Sequence, residues 1–95
     1  MGMNNYQRIE DLCRRANEIA QRIISSDDEI RLWYVYDALS AELYQMVMWY
    51  NAYEDRNCII KTTGENNVPH LVAADFGRVF DLYFYSIIQK NMITA

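Results

Sequence analysis

Residues 26–55, SDDEIRLWYVYDALSAELYQMVMWYNAYED, decide how the rest of the chain is read. Within them Leu32, Tyr36, Leu39, Leu43, Met46, Tyr50 and Tyr53 recur at intervals of four and three. That spacing holds side chains on one face of a helix and predicts a surface turned to a core. Tyr34, Ala38, Ala41, Gln45, Met48 and Ala52 follow the same alternation and, at 100° per residue, fall nearly opposite. The stretch therefore predicts one long helix, roughly 28 residues or about 42 Å, with an apolar seam on each of two sides. A surface helix should be polar on its second side, so two outcomes are open. Either the chain covers both seams itself, or part of the second seam is a contact surface for another molecule.

Upstream, Ile9, Leu12, Ala16, Ile19 and Ile23 repeat at three and four, with Cys13 and Ala20 widening the stripe. The pattern predicts an amphipathic helix from Asn4 to Ile24. Asn4 and Gln7 have the spacing of a capping box. Glu10 with Arg14, Asp11 with Arg15 and Glu18 with Arg22 place acid before base at four residues, the favoured order for helix-surface pairs. Arginines interleaved with acids in this way predict a solvated face rather than one that binds phosphate. Ser26 with Glu29 forms a second capping-box pattern, and Asp27, Asp28 and Glu29 suit a helix N-terminus. The short turn between the helices predicts an antiparallel hairpin, from which the longer second helix overhangs at its C-terminal end.

Residues 56–67 break the helical period. Asn57 suits a helix terminator, Thr62 to Asn67 suits a loop, and Cys58-Ile59-Ile60 is a short apolar run without an evident β partner. An irregular loop anchored by Ile59 or Ile60 is expected. A third helix is expected to open near Asn67, with Pro69 in its first turn and Val72, Phe76, Val79, Phe80, Tyr83, Phe84 and Ile87 facing inward. Gly77 weakens such a helix by about 1 kcal/mol. The expected fold is all-α: residues 1–95 as a single helical domain, a three-helix antiparallel bundle around a long central second helix.

Composition narrows the function. The 95 residues carry a net charge of −4, which argues against nucleic acid or an anionic membrane as a direct partner. A DNA-binding helix-turn-helix is a poor match, because Asp27, Asp28 and Glu29 would meet the groove. Asp37, Glu42, Gln45 and Asn51 interrupt the long apolar run too often for a membrane span. No secretory leader pattern opens the chain, and two cysteines make no disulfide framework, so reduced thiols in the cytoplasm are expected. No phosphate loop, Cys-x-x-Cys or His-Glu-x-x-His occurs, and His70 is the sole histidine. No catalytic residue, metal ligand or cofactor is assigned, and the expectation is a protein that is not an enzyme.

Tyr and Trp are enriched where proteins bind proteins, and eight Tyr with two Trp are present. The sequence thus predicts a small acidic adaptor or inhibitor that lays an aromatic, acid-rimmed helix face on a protein partner. Trp33, Tyr34, Met48, Trp49 and Tyr53 are the expected anchors, with Glu54 and Asp55 steering a basic partner. A phage-type inhibitor of a basic nucleic-acid-binding protein has this description. The alternative is a structural subunit whose second seam pairs with itself in an obligate homodimer.

Overall fold

The computed structural model describes residues 2–25, 29–64 and 68–78. They form, in order, helix α1 (Asn5–Ser25), helix α2 (Glu29–Glu54), strand β1 (Arg56–Thr63) and strand β2 (His70–Arg78). Two helices followed by an antiparallel hairpin replace the expected three-helix, all-α bundle. Residues 79–95, where the expected third helix continues, lie outside the described residues, as do Ser26 to Asp28 of the second capping box.

Helix α1 begins as its first residues require. The Asn4 side chain accepts the backbone N–H of Gln7 at 2.8 Å, and the Gln7 side chain accepts the N–H of Asn4 at 3.0 Å. Two donors left over at the helix start are satisfied reciprocally. Its buried residues are Ile9, Leu12, Cys13, Ala16, Ala20 and Ile23. On the solvent side the expected acid-before-base pairs give way to one fork. Arg14 reaches Asp11 at 2.6 Å and Glu18 at 2.7 Å, because a guanidinium can serve carboxylates one turn to either side.

Helix α2 is unbroken and buries Tyr36, Leu39, Leu43, Val47 and Tyr50 against α1 and the hairpin. Leu43, like Ile9, is wholly excluded from solvent, which is worth roughly 1.5–3 kcal/mol for such a side chain. The expected overhang of its C-terminal end does not occur. Tyr6 lies 5.9 Å from Tyr50 between ring centroids, and Asn5 donates to Glu54 at 2.5 Å, so the start of α1 runs beside the end of α2. Tyr53, counted in the core stripe, is exposed.

Asp55, not Asn57, ends α2. It adopts the left-handed conformation with φ of 52° and turns the chain directly into β1. The apolar run at Cys58-Ile59-Ile60 thus belongs to a strand, with the β-branched Ile59, Ile60, Thr62 and Thr63 fitting the pleat. Its partner is the stretch read as the opening of a third helix. Cys58 pairs with Asp75, Ile59 with Ala74, Ile60 with Ala73, Lys61 with Val72 and Thr62 with Leu71. The misreading has a definite source: Val72 and Phe76, four apart, share a face in a helix and also in a strand. Period two governs here, with Leu71, Ala73 and Asp75 turned inward and Val72 and Phe76 outward, where Lys61 Nζ sits 5.5 Å from the Phe76 ring centroid.

Between the Arg56–Arg78 and Cys58–Asp75 pairs, Phe76 and Gly77 stand opposite Asn57 alone. Two residues against one make a β-bulge, and Gly77 supplies the positive φ of 98° that it needs. Two isolated strands are marginal in water, so the hairpin depends on the helices. Cys58, Val68 and Leu71 join the helical core, with Ile60 and Ala73 packed at its margin.

Candidate protein-interaction surface

Among the described residues, nothing covers the outer face of α2 from Ile30 to Ala52. Tyr34, Ala38, Ala41, Gln45, Met48 and Ala52, the second seam of the sequence, are all exposed. Exposure reaches 72% at Tyr34, 71% at both Ile30 and Met48, and 47% at Tyr44. On its flank Trp49 and Tyr53 are 55% and 74% exposed and stack with centroids 4.7 Å apart. A 26-residue helix with one buried apolar side and one bare apolar side is the outstanding surface feature of the described residues. Scattered exposed apolar residues need no explanation, but a contiguous run of them marks a contact site.

The site residues named from sequence divide. Tyr34, Met48, Trp49 and Tyr53 lie on or beside this face. Trp33 does not: it is half-buried, with its ring edge-on to Tyr36 at 5.6 Å, and packs against the core. Its position one residue from Tyr34 rotates it by about 100° away from the seam. Glu54 accepts from Asn5, and Asp55 makes the turn into β1. Beside Trp49, a groove of about 390 Å³ between the two helices is lined by Met3, Arg8, Arg15, Glu42 and Met46 among others. The neighbourhood of Trp49 therefore carries cations from α1 as well as acids from α2.

Sequence reasoning missed the polar groups that fix the hairpin under this face. Asn51 on α2 accepts the N–H of Cys58 at 2.8 Å and donates to its carbonyl at 3.0 Å. Asn17 on α1 does the same for Leu71, at 2.7 and 2.8 Å. Each asparagine amide imitates one peptide unit of a neighbouring strand, so each helix clamps the outer edge of one strand. A single Asn on the margin of a helical stripe was the only signal for either.

Asp75 is the centre of the third fastening. Its Oδ2 accepts Tyr50 Oη at 2.7 Å, Arg56 Nε at 3.1 Å and Arg56 Nη2 at 3.0 Å, and its Oδ1 accepts the N–H of Gly77 at 2.9 Å. Burial alone would raise this carboxyl, but the bonds from Tyr50, Gly77 and Arg56 together hold it below its ordinary range. Burial, and then the bond to Asp75, push the Tyr50 phenol up to about 12. A lone acid inside the apolar run Leu71 to Phe76 was the available clue, since such a group must find partners.

Cys13 and Cys58 are free and buried, and burial pushes the Cys13 thiol up to about 11. Neither is poised as a nucleophile. Among the described residues, no three or more His, Cys, Asp or Glu side chains gather in a way that could hold a metal ion. Among them, too, no helix is long and apolar enough to cross a membrane. No protein-family model matches the chain, and no curated protein or solved structure is significantly similar to it.

Proposed function

We propose that this protein is a non-enzymatic protein-docking module that lays the outer face of α2 along a helix of a partner. The observation that carries the reading is the run of exposed side chains from Ile30 to Ala52 on one side of one helix, apolar but for Gln45. Burying such a run supplies the driving force, and the rim charges Arg31, Asp37 and Glu42 set register and choice of partner. Glu54 and Asp55 have a smaller part in this reading, because each already serves the fold. Two unpaired, buried thiols are in keeping with a reducing compartment such as the cytoplasm.

A photo-cross-linking amino acid placed at Tyr34 in the native cell tests the reading. Tyr34 should yield a discrete cross-linked protein, while the same probe at Gln21, on the polar side of α1, should not. Equal or absent cross-linking at the two positions removes the proposal.

A further inference from the structure

Resting on the docking-face reading, we infer that the occupant of the outer α2 face is a second copy of this chain, its α2 antiparallel and the two-fold axis passing beside Ala41. The face is complementary to itself in that arrangement. Facing positions then sum to twice 41, so that each side chain of the seam away from the axis meets a different residue type. Ile30 meets the partner's Ala52, Tyr34 meets the partner's Met48, and Ala41 meets the partner's Ala41. The small residues Ala38 and Ala41 let the backbones approach at the centre, near the lower end of the roughly 8–10 Å at which helices pack.

The same axis brings each flank of the seam against the identical flank of the other copy. Asp37 then stands beside the hydroxyl of the partner's Tyr44, an acceptor against a donor. On the other flank Arg31 comes over the partner's Trp49, which is stacked on Tyr53, and a guanidinium over an aromatic face is attractive. A parallel pairing in register has none of this: it sets Tyr34 on Tyr34, Asp37 on Asp37 and the alanines on each other, leaving gaps between clashes.

The exposed area approaches the size required. Fully exposed aromatic side chains offer roughly 150–250 Å² each. Tyr34, Tyr44, Trp49 and Tyr53, half to three-quarters exposed, thus leave on the order of 500 Å² open before Ile30 and Met48 are added. A stable interface buries about 800 Å² per partner.

Light scattering and a cysteine substitution test the pairing together. The full chain should show twice its 11.3 kDa mass and dissociate on dilution. Ala41→Lys, which sets two like charges on the axis, should give the single-copy mass with unchanged helical circular dichroism. Ala41→Cys should cross-link to a covalent dimer under mild oxidation, since its α-carbons fall within disulfide reach, whereas Ala52→Cys should not. A single-copy mass for the native chain at every concentration, or cross-linking at Ala52 in preference to Ala41, overturns the self-pairing. If Tyr34 photo-cross-links a foreign protein while the chain stays single, the docking face stands and only the choice of occupant falls.

Discussion

Asn17 and Asn51 hold more of this fold together than their polarity suggests. Each supplies a carbonyl and an amide to one buried strand residue, Leu71 or Cys58. Truncation leaves a part-buried N–H and C=O without their partner. Asn17→Ala and Asn51→Ala should therefore each cost about 2 kcal/mol in urea unfolding, several times the effect of an exposed polar residue on the same helices. A cost within 0.5 kcal/mol of zero, on the order found for plain surface positions, would show that the strand edges are held otherwise.

The Asp75 cluster makes stability depend on pH at both extremes. Asp75 has a folded-state pKa below its unfolded value, so its contribution is complete above the ordinary carboxylate range and is lost as pH falls through the depressed value. Tyr50 is raised to about 12, so the neutral phenol contributes fully below pH 10 and its contribution is lost as pH climbs towards 12. Asp75→Asn should flatten the acid limb of a stability profile, at a loss of about 1–3 kcal/mol near neutrality. Tyr50→Phe should flatten the alkaline limb between pH 10 and 12. A profile unchanged by both substitutions contradicts the assignment.

At the scale of the element, the junction between α2 and β1 explains why the third segment is a hairpin. Asp55 adopts φ of 52°, which redirects the chain within a single residue. β1 then runs back over the helices, where Cys58 reaches Asn51. The left-handed conformation costs a non-glycine residue roughly 1–2 kcal/mol, and an acid at a helix C-terminus opposes the dipole. Asp55→Gly should raise stability by about 0.5–1 kcal/mol, the relief being reduced by the greater freedom of glycine in the unfolded chain. A lower melting temperature for this variant would mean that the Asp55 side chain itself fastens the turn.

At the scale of the whole molecule, one core ties the helix pair to the hairpin. Cys13 comes to it from α1 and Cys58 from β1, and burial pushes both thiols upward. Under native conditions both should resist alkylation, and with added urea both should become reactive along a single curve. If Cys58 reacts well before Cys13, the hairpin opens while the helices stay paired. Among the described residues the core leaves the outer side of α2 uncovered, and the proposed docking and self-pairing both depend on that asymmetry.

Local sequence settled the two helices, because their signals lie within a few residues of one another: the Asn4–Gln7 cap, the stripe from Ile9 to Ile23, and the seams of α2. It also marked Tyr34, Met48 and Trp49 as side chains without a place in the core. What it left open were matters of long-range pairing. Whether Val72 and Phe76 belonged to a helix or a strand was undecided by a spacing of four that suits both. The choice fell to Cys58-Ile59-Ile60 and residues 71–75, far apart in sequence, each supplying the backbone partners that the other lacked. Likewise only the assembled chain could turn Trp33 towards Tyr36 and place Asn17, Asn51 and Asp75 at the strands, since a polar side chain shows its role only once its partner is beside it.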